Sequence, residues 1–292
     1  MQEKNLILKP KPFCMDKLLK PSRILFAASI AMLGVLNFIS ANYIVGRPPA
    51  ITWPSWAAQL PGKFAWAYIS GAFFIFASLL IIFKIKVYWS ALSISTVILV
   101  YSFLLRHVPA MSDITNEYKS LALAGGAFII ASSVMDDKAS HKFSNLFFTG
   151  ILFVSWFLIF CGIEHFKFDE FVSTLVPSYF SHPYFWTYFA AVVLIAGGIG
   201  MLYKPTRKLA ALLCGIMVLL WCCLLHIPRA LTIPARVNYP YGEWMGVAET
   251  ICLSGAFFTI AALTSKEKEI RQTQKEEIKK DIPLQESIVN QA

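Results

Sequence analysis

The sequence predicts an all-α membrane protein of about eight transmembrane helices, arranged as two parallel four-helix repeats. Its 292 residues are 57% hydrophobic and only 15% charged, with a mean hydropathy of +0.60, which is more apolar than a water-soluble domain sustains. Several apolar stretches reach about 18 to 22 residues, the length a helix needs to cross a hydrocarbon core of about 30 Å at about 1.5 Å per residue. A set of short motifs then returns in the same order about 120 residues further on.

In chain order the expected spans are Arg23 to Ile44, Phe64 to Phe83, Tyr88 to Leu105, Leu121 to Val134, Asn145 to Gly162, Tyr184 to Tyr203, Leu209 to Leu225 and Met245 to Leu263. Residues 1–22 form a basic N-terminal segment. The apolar run after it is too long for a signal-peptide core and has no small-residue cleavage site, so no cleavage is expected. An even number of spans puts both termini on one side. With the termini in the cytoplasm, 19 Lys and Arg residues lie inside and 7 outside, the bias that sets membrane orientation. The formal charge of +9 is therefore a matter of topology, and nucleic acid is not an expected partner. The tail 265–292 alternates Lys and Glu and reads as a solvated, charged cytoplasmic segment.

The repeat organises the chain. Pro54-Ser55-Trp56 returns as Pro177-Ser178-Tyr179, Trp66-Ala67-Tyr68 as Trp186-Thr187-Tyr188, and Lys84 as Lys204. His107-Val108-Pro109 returns as His226-Ile227-Pro228, and Gly125-Gly126-Ala127-Phe128 as Ser254-Gly255-Ala256-Phe257. The expected units are 23–134 and 145–264, joined by a cytoplasmic linker at 135–144. Each unit crosses an even number of times, so both insert in the same direction and are related by a pseudo-two-fold axis along the membrane normal.

Polar chemistry gathers at the outer ends of the spans. Glu164-His165 directly follows the apolar run Phe153 to Ile163, where the first unit has Leu36-Asn37. His226 and Arg229 close the seventh span, with Pro228 expected to end the helix there. Glu249 lies inside the apolar run Met245 to Leu263, where an ionisable residue must face other helices or a polar cavity. Each has a plainer reading, as an interfacial anchor, a helix end or a hydrogen bond into the bundle. The six cysteines show no zinc spacing and read as buried thiols, although a bridge from Cys161 to Cys222 or Cys223 is geometrically conceivable. Gly197-Gly198-Ile199-Gly200 lacks the strand of a nucleotide fingerprint and reads as close helix packing. Trp53, Trp56, Trp186 and Trp244 fit an interfacial belt.

Gly162 to Phe166, Leu175-Val176-Pro177, Pro183, Phe185-Trp186, Ala196 to Gly200 and the basic turn Lys204 to Lys208 before Ala210-Ala211-Leu212 together resemble the DoxX-like family of four-helix membrane proteins. The resemblance covers Asn145 to Leu263; the first unit keeps His107-Pro109 and Asn116-Glu117-Tyr118 but lacks the Glu-His pair. It implies a tandem fusion in place of a dimer of single units. Relatives include membrane subunits of thiosulfate:quinone oxidoreductase, partners of detoxifying redox enzymes, and members thought to bind cargo or maturation factors.

The resulting expectation is a redox-associated subunit or partner in a bacterial inner membrane, acting with the quinone pool, and at most one subunit of a quinone-linked oxidoreductase. Glu164 and His165 would handle protons, His226 and Arg229 would close a quinone headgroup site, and Glu249 would orient the cavity. No metal-ligand set, haem or flavin motif is visible, so quinone is the candidate cofactor and any other electron carrier comes from a redox protein partner. The expected surroundings are membrane lipids. The rival readings are a small-molecule transporter, if Glu249 lines a pathway reaching both faces, and a non-catalytic membrane chaperone or complex subunit.

Overall fold

The computed structural model of the chain describes residues 16–46, 63–107, 114–135, 141–233 and 243–265. Cys14, Trp53, Pro54-Ser55-Trp56, Pro109, most of the linker and the charged tail from Lys266 onward lie outside the described residues, as do the side chains of His107, Asn116 and Glu117.

All regular structure among the described residues is helical. The order is α1 (Asp16–Ser40), α2 (Lys63–Ile82), α3 (Val87–Val97, continuing as a π-helix over Ile98–His107), α4 (Ile114–Ser132), α5 (His141–Lys167) and the short α6 (Asp169–Ser173). Then come α7 (Pro183–Leu202), α8 (Arg207–Thr232, with a π turn at Cys222–His226) and α9 (Trp244–Ser265). Seven of these, α1, α2, α3, α5, α7, α8 and α9, are long and apolar enough to cross a membrane; the apolar part of α4, Tyr118–Ser132, is shorter. In hydrocarbon only a helix satisfies its own backbone, and these sequences leave it nothing else to do. Their outward faces carry Phe76, Trp89, Leu152, Phe189, Leu213 and other exposed apolar side chains, the surface that lipid covers.

Several boundaries differ from those read in the sequence. The apolar run through Ile44 is one expected span, but α1 stops at Ser40, where Ala41 takes a positive φ of 46°, and Tyr43, Ile44 and Val45 fold back as a buried loop. The loop turns at Gly46 with φ 66°; a Cβ there would lie 2.0 Å from the Ser120 hydroxyl oxygen. The fourth helix begins before Leu121 and so includes Lys119. Pro228 does not end the seventh span: α8 runs on to Thr232. A proline removes one backbone donor and crowds the carbonyl four residues back. The π turn widens the helix just before it, and the Leu224 carbonyl accepts instead a hydrogen bond from the Tyr179 hydroxyl.

Small residues set the packing. A Cβ on Gly34 of α1 would lie 2.7 Å from the Gly71 carbonyl of α2, and one on Gly162 of α5 would lie 2.7 Å from the Ala191 carbonyl of α7. Between α4 and α5 a Cβ on Gly125 would meet the Gly150 carbonyl at 2.8 Å; between α9 and α1 one on Gly255 would meet the Ser22 carbonyl at 2.7 Å. Ser95 of α3 donates to the Ala124 carbonyl of α4 at 3.1 Å, and Ser254 of α9 donates to the Gly215 carbonyl of α8 at 2.8 Å. The glycine run 197–200 packs the same way, with Gly198 against the Ser155 carbonyl and Gly200 against Ala210. Such contacts bring backbones close where lipid offers no hydrophobic drive to associate.

At the centre stand α4 and α9. The membrane-length window of α9 is 83% buried, against 28–50% for the other six candidate spans. Lys119 meets Glu249, and Gly126 meets Ala256, so α4 and α9 run parallel and in register, with contacts two turns apart.

Candidate functional site

One face of α9 carries Glu243, Gly246 and Glu249 at intervals of three residues, which places them in a stripe descending about 9 Å into the bundle. Each step has a partner. At the top, Arg229 of α8 donates to Glu243 at 3.2 Å, and both side chains are about a quarter exposed. In the middle, the His226 ring packs against α9: a Cβ on Gly246 would sit 2.8 Å from Nδ1, so a larger residue there would displace the imidazole. At the foot, Lys119 Nζ of α4 lies 3.0 Å from Glu249 Oε2, with side-chain exposures of 24% and 4%. The result is a polar ladder whose carboxylates deepen from Glu243 at the rim to Glu249 at the foot, while both cations stay about a quarter exposed.

The π turn of α8 is what aims this face. It sets Cys222 against the Val247 carbonyl of α9, 3.9 Å away, and delivers His226 and then Arg229 to the same side. Deep in the ladder the hydrogen bonding is incomplete. Among the described residues, His226 Nδ1 and Glu249 Oε1 are buried without a partner, whereas most buried polar atoms in proteins have one. Each ion pair sets a cation against a carboxylate, Arg229 against Glu243 and Lys119 against Glu249. His226 stands within electrostatic range of Lys119, Glu243 and Arg229.

Below Glu249, α9 continues with buried Cys252, Leu253, Ala256, Phe257, Ile260 and Ala261. Glu249 is therefore the last carboxylate on this helix before the chain reaches its other end at Ser265. Beside the ladder, the Tyr118 ring of α4 stacks on Phe160 of α5 with centroids 4.2 Å apart, and Trp156 closes on Phe160 at 5.0 Å.

His226 and Arg229 of α8 thus meet α9 within two turns of Glu249, through Gly246 and Glu243. Glu164 and His165 do not join them directly. They lie inside α5, which runs past them to Lys167. His165 Nδ1 donates to its own Cys161 carbonyl at 2.7 Å, which fixes the proton on Nδ1 and leaves Nε2 with the lone pair. The Cys161 sulfur lies 3.9 Å from the same nitrogen. Lys119 is the residue that sequence reasoning missed. Its signal was indirect: a carboxylate in an apolar span needs a cation, and Lys119 stands just ahead of the expected fourth span.

The cysteines among the described residues are free thiols, with Cys214, Cys222 and Cys252 buried and Cys223 exposed. No group of three His, Cys, Asp or Glu side chains among the described residues is placed to hold a metal ion. A separate cavity of about 180 Å³ lies in the first half, lined by Tyr43, Trp66, Ile69, Ser70, Phe73, Val97 and Tyr101, with no ionisable acid or base other than the two phenols. Compared with protein-family models, with curated protein sequences and with solved structures, the chain matches none.

Proposed function

We propose that this chain is a tandem-repeat membrane protein of eight spans, and that it acts as a membrane subunit or partner of a quinone-linked redox system through the ladder of His226, Arg229, Glu243, Glu249 and Lys119. The repeat reading is supported by a contact that recurs at matching positions, Gly34 on Gly71 and Gly162 on Ala191. Parallel, in-register contact of α4 with α9 is what a pseudo-two-fold axis between them requires. In this reading α4 is the eighth span, its polar start tolerated because Glu249 neutralises Lys119. The excess of Lys and Arg at the other end supports cytoplasmic termini and a bacterial inner membrane, as the DoxX-like resemblance implies.

The observation that carries the functional reading is the pair of buried, unpartnered polar atoms, Glu249 Oε1 and His226 Nδ1, at the foot of a ladder that leads to one membrane face. A quinone headgroup gains or loses protons with its electrons, and a carboxylate and an imidazole graded from buried to exposed can pass those protons to water. Aromatic rings beside Lys119 suit the headgroup's flat face. The Arg229–Glu243 pair must part for access, which an exposed ion pair does at small cost. Glu164 and His165 lie one helix to the side and serve the exchange of protons at the rim. Electrons come from a redox partner.

The test is mass spectrometry of lipids extracted from mildly purified protein, comparing wild type with His226→Ala and Glu249→Gln. Quinone enriched over bulk membrane in wild type and lost in both variants, with unchanged yield and elution, is the expected result. Equal background in all three would sink the redox reading.

A further inference from the structure

Glu249 holds one carboxylate oxygen against Lys119 and leaves the other buried and unbonded among the described residues. We infer that the ladder site selects a neutral ligand that donates a hydroxyl hydrogen bond, a hydroquinone-type headgroup in preference to its oxidised dicarbonyl form, and that Lys119 is the positioning residue that keeps Glu249 an acceptor. The inference rests on the site assigned above and specifies which ligand state it binds.

The argument is one of hydrogen-bond chemistry. The Lys119 ammonium 3.0 Å away favours the charged form of Glu249, and a carboxylate in that form only accepts. Its free oxygen is therefore satisfied by a donor and repelled by a carbonyl oxygen, which also only accepts. His226 Nδ1 does not oppose this choice, because an imidazole presents either a lone pair or an N–H according to its tautomer. Charge narrows the class further. Each ion pair presents both signs, so an ammonium ligand would meet Lys119 and Arg229 at close range and an anion would meet Glu243 and Glu249. A neutral hydroxylated ring avoids both penalties.

Lys119 acts through Glu249. Without it, a carboxyl group 3% exposed would take up a proton, become a donor as well as an acceptor, and lose its discrimination between the two redox forms of the ligand.

The experiment uses the full chain in lipid nanodiscs under anaerobic conditions, titrated with a short-chain 1,4-benzoquinone and with its hydroquinone, and read by quenching of tryptophan fluorescence. In wild type the hydroquinone should bind about tenfold tighter than the quinone, the scale of one hydrogen bond to a charged group. In Glu249→Gln, whose amide both donates and accepts, the ratio should fall close to one. In Lys119→Met a protonated carboxylic-acid band should appear in the infrared difference spectrum and vanish when Glu249→Gln is added, a readout that a purely structural role for Lys119 would not move. Equal or tighter binding of the quinone by wild type overturns the inference while leaving the quinone-linked reading intact. No saturable binding of either form overturns both. The wild-type ratio needs no variant, so a failure of Glu249→Gln to fold does not shield the proposal.

Discussion

The helices α1 and α5 each bring a glycine against a neighbour, Gly34 and Gly162, and then differ three residues later. In α1 that residue is Asn37, fully buried: its Oδ1 accepts from the Ile44 amide at 2.9 Å and its Nδ2 donates to Ser70 at 3.1 Å. The chain is folded back over the end of the first half, where the Tyr43 hydroxyl pairs with Ser102 and Ser102 donates to the Val45 carbonyl. In α5 the residue is His165, half-buried and bonded only to its own helix, and α5 continues past it. One half is sealed by an amide latch; the other keeps an ionisable ring near a polar ladder. The lesson is that two helices packed through the same kind of glycine contact can end differently, one capped by a folded-back loop and one running on past an imidazole.

Breaking the ladder at its foot should cost most. Glu249→Ala removes the buried carboxylate that faces Lys119 and should lower stability by about 3 kcal/mol, read from unfolding in detergent, with much of the loss recovered by the Lys119→Met/Glu249→Leu double variant. If Glu249→Ala melts like wild type, the ion pair does not form. Next comes the latch. Asn37→Ala removes two buried hydrogen bonds and should cost about 2 kcal/mol, expose Tyr43 and Val45 to hydrogen exchange, and leave hydroquinone binding unchanged. Loss of binding in that variant would mean the two halves are not divided between closure and chemistry. Tyr179→Phe unhooks the Leu224 carbonyl and should cost about 1 kcal/mol or less, with faster amide exchange over the π turn. Smallest in stability is Arg229→Gln at the rim, about 0.5 kcal/mol, with its effect showing instead as faster ligand association.

Most helices could be read from apolar length because lipid imposes that pattern directly. The errors have physical causes. An apolar run does not distinguish a helix from a loop buried against one, so Tyr43 to Val45 read as part of a span. Lys119 read as a loop residue because its counter-charge lies at residue 249, on another helix. Pro228 read as a stop because nothing local reveals a π turn or a tyrosine arriving from residue 179 to bond the freed carbonyl. Of the site, Glu249, His226 and Arg229 could be picked out by charge in apolar surroundings; that they converge, and that Glu164 and His165 stand apart, depended on which faces α4 and α9 turn to each other.

That facing pair also distinguishes α4 from α9. Lys119 on one helix meets Glu249 on the other, seven residues above the contact of Gly126 with Ala256, so the two central helices are not interchangeable at this level. A lysine in both places would set ammonium near ammonium, and a glutamate in both would set two carboxylates together. The ion pair gives the centre of the bundle a direction, from α4 to α9, that small-residue packing alone does not supply.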